Sequence, residues 1–341
     1  MLLRNATDEL LGNNSDTRLG NVERVLVPIL DALVLTLGVV GHTMVMVILC
    51  GRRRRGSPLM GQAAQHSTTG TGTDVLILAL SAADLLLLSI LPFHTIAIAL
   101  QHWPFGDVMC RLVGFMGSAC ASTSSFTLAT LAVSRYLTVV RPTTAFTLLS
   151  PRRVTAVAAA LWVPACGLAA PQLAFRLVGT QHQAHDGHAC FSVLSHTDQL
   201  IYSLCHFLVA FLFPLVTIAV AYIRIYMFLW GSRRAGRMPQ VERYQRKVTH
   251  TSAMLVLAFT ICWLPSYGLT LALVAEKSSM ATGFSPRYGA FNVFARLMAT
   301  SSTVMNPILY VLMSQKFRQD LIKVFRKERK NGRAEVAMAA T

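Results

Sequence analysis

Charge is what this chain has least of. Asp, Glu, Lys and Arg together supply 13% of its 341 residues, against about 25% in an ordinary soluble domain, and acids number 15 against 31 bases. Apolar side chains make up 53%, more than a water-soluble domain of this size can hide. Nor do the gaps in charge fall at random. Runs with almost none occupy 25–51, 75–101, 112–134, 154–175, 199–223, 248–275 and 288–315, and each reaches the roughly 20 residues a helix needs to cross a hydrocarbon core of about 30 Å. The chain therefore reads as an all-α membrane protein, a bundle of seven transmembrane helices over 25–312. Cysteine is sparse as well, seven residues in all, and no Cys/His spacing matches a zinc site.

The net charge of +16 would suit nucleic acid if it formed one face. Instead 23 of the 31 bases sit in 52–55, 135–153, 224–247 and 316–333, which follow the first, third and fifth runs and form the tail. Basic short loops mark the cytoplasmic side, where anionic membrane lipid answers them, so no nucleic-acid partner is needed and the N-terminus lies outside. Asn5-Ala6-Thr7 and Asn13-Asn14-Ser15 are glycosylation sequons in a polar extracellular tail of 1–24. The first residues lack the apolar core of a cleavable signal, so the first span is expected to direct insertion. Only Cys110 and Cys190 fall on the oxidising side, and they are expected to form a disulfide. Cys50, Cys120, Cys166, Cys205 and Cys262 lie in or beside spans and read as small buried thiols.

Along the chain, the first span carries Asp31, a charge that requires a partner at that depth, and Gly38-Val39-Val40-Gly41-His42, where glycine lets a neighbouring helix come close. Residues 51–73 open on Arg52 to Arg55 and continue rich in Gly, Ser and Thr with no apolar period, predicting a long flexible first cytoplasmic loop. The second span holds Asp84, Pro92 and His94, and Trp103-Pro104-Phe105-Gly106 makes the first outer turn. Alternation about 175–178 and 190–193 predicts a hairpin within a second outer loop of 174–198, with His182, His185 and His188 in a solvated connection. Phe317, Leu321 and Phe325 recur among Lys316, Arg318, Lys323, Arg326 and Lys327, predicting an amphipathic eighth helix on the inner membrane face over 314–328 and a cytoplasmic tail of 329–341.

The ordered set Asp84, Cys110, Arg135-Tyr136, Trp162, Pro214, Tyr222, Phe259 to Pro265, and Asn306-Pro307 with Tyr310 resembles the rhodopsin-like (class A) family of G-protein-coupled receptors over about 25–326. Within it the chain is most similar to peptide receptors of the galanin, somatostatin and opioid type. The resemblance implies a multi-pass plasma-membrane receptor, not an enzyme, that answers an extracellular neuropeptide by activating a heterotrimeric G protein, of the inhibitory class by analogy. It places His94, Gln172, Tyr202, Trp263, Tyr267, Asn292 and Arg296 around the ligand, with the Cys190 hairpin as lid. It assigns coupling and switching to Ser134, Arg135, Tyr136, Tyr222, Phe259, Trp263, Pro265, Asn306, Pro307 and Tyr310. Asp84, Ser124, Ser302 and Asn306 match positions that hold an allosteric sodium ion in relatives, and oxygen ligands suit such a hard cation; no other cofactor is implied. Gly117 stands where amine receptors carry an aspartate, which argues against an amine ligand. No lysine precedes Lys316 in the seventh span, so the Schiff base of an opsin is excluded.

Several departures matter. His42 replaces the family's asparagine and is expected to donate to Asp84, competing with sodium. The family's Asp-Arg-Tyr is Ser134-Arg135-Tyr136 here, and Gln245 supplies no carboxylate either, so raised basal signalling is expected. Ser125 replaces a branched apolar residue beneath Pro214. The tail has no cysteine and ends on Thr341 as its one phosphate acceptor, so arrestin recruitment through it is expected to be weak, with Ser67 to Thr73 as substitute. Arg296 is expected to pair with Asp31, or else to receive a ligand carboxylate. The latter would suit a lipid or small-carboxylate receptor of the same fold. A transporter or proton-conducting protein would instead need ionisable groups along a water path or an inverted repeat, and only Asp31, Asp84 and Arg296 stand within the spans.

Overall fold

The computed structural model describes the backbone of residues 2–55, 64–180, 188–234, 239–275 and 289–313, with Gln319 and Ile322. The helices are α1 (Leu2–Arg55), α2 (Ala64–Leu100), α3 (Gly106–Val140), α4 (Pro142–Leu148), α5 (Pro151–Ala160), α6 (Trp162–Phe175), α7 (His196–His206), α8 (Phe213–Arg234), α9 (Pro239–Ala275) and α10 (Gly289–Met313). Strands β1 (Arg176–Thr180) and β2 (His188–Ser192) lie between α6 and α7. Among the described residues five stretches are long and apolar enough to cross a membrane: Arg24–Gly51, Gly72–Leu100, Gly106–Val140, Pro151–Phe175 and His196–Ser232. They overlap the first five charge-poor runs; the sixth falls within α9, and α10 covers 289–313 of the seventh.

Lipid, not water, explains the surface. Val25, Ile29, Leu33 and Leu37 repeat every fourth residue along α1 and are exposed, while Asp31, His42 and Val45 point inward. A stripe of that length facing water would be anomalous, but it is the ordinary outer face of a spanning helix. The centre of the bundle is α3, which packs on α2, α6, α8, α9 and both strands. Its middle, Ala119 to Ala129, is buried on every side and built from small residues and hydroxyls, which permits close approach from all directions. Gly41 serves the same end between α1 and α10: a Cβ there would lie 2.8 Å from Pro307 Cγ.

Prolines punctuate the helices without ending them. Pro142 and Pro151 occupy first-turn positions of α4 and α5, where no amide donor is missed. Pro28, Pro92, Pro171, Pro265 and Pro307 lie inside helices and are tolerated because neighbouring helices shield the freed carbonyls. Just before Pro214 the chain widens into a π-helical turn, Phe207–Leu212, closed by the Phe213 amide donating to Leu208 O. It joins α7 and α8 into one continuous span.

Three segments differ from expectation. Residues 2–24, read as a polar tail, continue α1; no proline interrupts them before Pro28. The stretch 51–73, read as a flexible loop, is helical over 51–55 and 64–73. The reason is tertiary: Gly72 meets the carbonyl of Leu149 and the side chain of Val154, and Thr73 is buried, so packing overrides a weak local preference. His188, placed in the connection, lies on β2. The hairpin itself forms within one or two residues of where alternation put it, with Val178 opposite Cys190. Apart from Gln319 and Ile322, the predicted eighth helix of 314–328 lies outside the described residues, as do His182, His185 and the side chains of Asn5, Asn13, Gln245 and Tyr310.

Candidate functional site

The outer end of the bundle is roofed by the hairpin. Cys110 on α3 and Cys190 on β2 form a disulfide, with Cα atoms 5.6 Å apart. Side contacts hold the roof at further points. The Val178 amide donates to Asp107 Oδ1 at 2.6 Å, the Trp103 amide donates to His188 O at 2.6 Å, and Trp103 Nε1 donates to Gly106 O at 3.0 Å. That last bond closes the outer turn, where Gly106 has φ +74°, a conformation that favours glycine. Trp103, Ile90, Cys110 and Val113 form a buried apolar cluster beneath.

The residues expected to line the ligand pocket fall into three groups. His94 faces Trp103, ring centroids 6.3 Å apart. Gln172 Nε2 donates to the Tyr202 hydroxyl at 2.9 Å, and a ladder of rings then descends from Tyr202 to His206, Tyr267, Trp263 and Phe259, each step about 6 Å. Arg296 Nη2 donates to Asp31 Oδ2 at 2.7 Å, where the Thr95 hydroxyl also donates at 2.7 Å. The expected pair of Arg296 with Asp31 thus forms. Asn292 stands one helical turn before Arg296, on the same face.

Sequence reasoning missed the hub of this arrangement. His206 lies 3.0 Å from Ser118 Oγ through Nε2 and 3.3 Å from the Tyr267 hydroxyl through Nδ1, so one imidazole joins α3, α7 and α9. It missed Arg176 as well. This first residue of β1 folds inward over α3, where a Cβ on Gly114 would lie 2.8 Å from Arg176 Cδ. Burial pulls its pKa down from the ordinary arginine value, against the opposing influence of Tyr202.

Midway through the bundle Asp84 is buried. Ser124 Oγ donates to its Oδ1 at 2.8 Å and Asn306 Nδ2 to its Oδ2 at 2.6 Å. His42 Nε2 lies 3.5 Å from the same Oδ2, yet its nearer partner is Thr303 O at 2.8 Å. A carbonyl only accepts, so Nε2 carries a proton. Ser302, the fourth oxygen of the expected sodium site, turns away: its hydroxyl donates to Ala299 O at 2.7 Å and accepts from Trp263 Nε1 at 3.0 Å. Both carboxylate oxygens are therefore engaged by protein donors with a further N–H beside them, a set that fits a sodium ion poorly. Ser302 instead ties the Trp263 step of the ring ladder to α10.

At the inner end, Tyr136, Tyr222 and Phe259 pack on one cluster of Leu80, Leu128, Ala132, Ile218 and Val256. Ser134 is buried and its hydroxyl donates to Leu131 O at 2.7 Å, a bond within its own helix.

The model of the family described as 7 transmembrane receptor (rhodopsin family) matches residues 61–310. The chain belongs to that family. Among curated relatives, this rhodopsin-family receptor is 29% identical over 306 residues to galanin receptor type 2 of Mus musculus, covering 89% of this chain and 76% of that one. It is 29% identical over 304 residues to galanin receptor type 3 of Homo sapiens, covering 88% and 78%. It is 30% identical over 306 residues to somatostatin receptor type 5 of Bos taurus, covering 88% and 76%. A seven-helix membrane bundle is thereby the fold, and the receptor reading of the motifs stands.

Proposed function

We propose that this receptor sits in the plasma membrane with its N-terminus outside, binds an extracellular peptide under the hairpin and activates a heterotrimeric G protein, of the inhibitory class. The observation that carries the reading is similarity, over nearly nine-tenths of the chain, to receptors named for galanin and somatostatin. His94, Gln172, Tyr202, Trp263, Tyr267, Asn292 and Arg296 contact the ligand in this reading, and His206 couples that contact to α3. Displacement of the ring ladder at Trp263 passes through Ser302 to the Asp84 centre, and from there to Asn306, Pro307 and Tyr310 and to the inner cluster around Tyr136, Tyr222 and Phe259. Arg135 meets the G protein.

Ser134 supports a raised basal output in this reading, because its hydroxyl is spent on Leu131 O and carries no charge to hold Arg135. With the Asp84 carboxylate saturated by Ser124 and Asn306, His42 beside it and Ser302 turned away, sodium has little hold on this receptor in this reading. Arrestin engages the tail weakly. The acidic-lipid reading loses its main support, since Asp31 already engages Arg296. The experiment that tests the proposal is an agonist screen in cells expressing the receptor, comparing peptide pools with acidic-lipid pools by G-protein activation. Activation by a peptide fraction is expected; activation by lipid alone would overturn the peptide assignment.

A further inference from the structure

We propose that Arg176 is the anion-binding point of the outer chamber, seated to receive a carboxylate of the peptide ligand; the inference rests on the receptor reading above and names the chemistry its ligand carries.

Arg176 is built in place. It begins β1, directly after α6, and its side chain runs inward against α3 across Gly114. A Cβ at Gly114 would fall 2.8 Å from Arg176 Cδ, 3.1 Å from Nε and 3.3 Å from Nη1, so the guanidinium occupies room that only a glycine leaves. Its Nε is withdrawn from solvent and has no hydrogen-bond partner. Its Nη1 reaches only the disulfide sulfur of Cys190, at 3.8 Å, a weak acceptor. Among the described residues no carboxylate pairs with it.

A guanidinium does not shed its charge in a protein; Arg176 is partly buried, and its Nε, cut off from water with no acceptor, is a costly donor to leave unmet on a cation. Arg296, the other arginine of the chamber, is different, since Asp31 balances it at 2.7 Å. His94 lies within electrostatic reach of both arginines; Asp31 is engaged by Arg296 and Thr95, and Asp107, at the foot of the hairpin, accepts from the Val178 amide. Among the described residues, then, Arg296 has its carboxylate and Arg176 is paired with none.

The neighbouring acceptor narrows the ligand further. Gln172 Oε1 is withdrawn and unpartnered, while the same side chain donates through Nε2 to Tyr202, which lies within electrostatic range of Arg176. A forked cation beside an open amide oxygen complements a carboxylate with an N–H close to it. A peptide offers that pair at its free C-terminus and at an acidic side chain.

The test uses full-length purified receptor in detergent and follows its melting temperature with three probes. Nα-acetyl-leucine carries a terminal carboxylate, Nα-acetyl-glutamic acid α-amide a side-chain carboxylate, and Nα-acetyl-leucinamide none; sodium chloride matches ionic strength. A saturable rise in Tm is expected with at least one acid and none with the amide, and the acid that works identifies which end of a peptide is read. Arg176→Gln should abolish the rise and, without probe, melt no lower than wild type, because an orphan charge has been removed. Gly114→Ala keeps the charge, favours helix and displaces the guanidinium, so it should fold and also lose the rise. No saturable rise in wild type, or a rise that persists in both variants, overturns the proposal. A receptor that answers peptide agonists yet shows no probe-dependent rise refutes the anion point alone. A probe-dependent rise in a protein that no pool activates refutes the receptor reading alone.

Discussion

Removing Arg296 should unfold more of the receptor than removing Asp31, and removing both should restore it. Asp31 is 1% exposed, whereas the Arg296 side chain keeps 25% of its surface in contact with solvent. Arg296→Gln strands a withdrawn carboxylate whose remaining donor is the Thr95 hydroxyl, and whose Oδ1 already lacks a partner. Breaking a buried pair from one side costs about 3–5 kcal/mol, while one hydrogen bond to a charged group returns about 1.5–3 kcal/mol and is present before and after. The variant should therefore lose roughly two to three orders of magnitude in its folded-to-unfolded ratio, at about 1.4 kcal/mol per tenfold. Asp31→Asn leaves a guanidinium that water still reaches, and should cost about 1–2 kcal/mol. In Asp31→Asn with Arg296→Gln no charge remains to be desolvated, and stability should return to within about 1 kcal/mol of wild type. Surface staining of an epitope-tagged receptor and melting of the purified protein without ligand read this directly. The exchange Asp31→Arg with Arg296→Asp should likewise recover surface expression. A double variant as poor as the sum of the singles would refute the pairing as a source of stability.

Ser134→Asp should lower ligand-free G-protein signalling several-fold, by placing a carboxylate beside Arg135 in the chain and favouring the resting state; equal basal output at matched surface expression would count against it. His42→Asn exchanges the imidazole N–H beside Asp84 for a shorter amide that can turn its oxygen toward a cation, so agonist affinity should fall with added sodium in the variant and change little in wild type, as a radioligand titration in sodium and in a bulky organic cation would report. Truncation after Asn331 should leave arrestin recruitment intact in a proximity assay; its abolition would assign that role to the tail.

Much of this was legible before any coordinates, for identifiable reasons. The spans were readable because exclusion of charge over twenty or more residues is a local property of the chain. The Cys110 and Cys190 pair followed from compartment alone; that Asp31 needs a partner followed from the cost of a charge at bilayer depth, and Arg296 as that partner from the family resemblance, which sets the first and seventh helices side by side. His206 was not readable: it appears as one polar residue in an apolar stretch, and its partners Ser118 and Tyr267 are 88 and 61 positions distant. Arg176 was hidden for a related reason. Strand alternation predicts which face a side chain takes, but not that Gly114 has cleared a space for it. The helical start of α2 before Gly72 was masked by composition, since its Gly, Ser and Thr content signals a loop until Leu149 and Val154 pack against it.

The wide turn at Phe207–Leu212 has a consequence for how the fifth span is aimed. A π turn holds one residue more than an α turn, and each residue advances a helix by about 100°. The half of the span bearing Tyr202 and His206 is thus turned by about that angle relative to the half bearing Tyr222, compared with an unbroken α-helix. Its outer face is chosen by a count of residues and not by the chemistry of any of them. Deleting a single amino acid between Phe207 and Leu212 would restore regular winding, leave every side chain of the chamber in the protein, and point His206 away from Ser118.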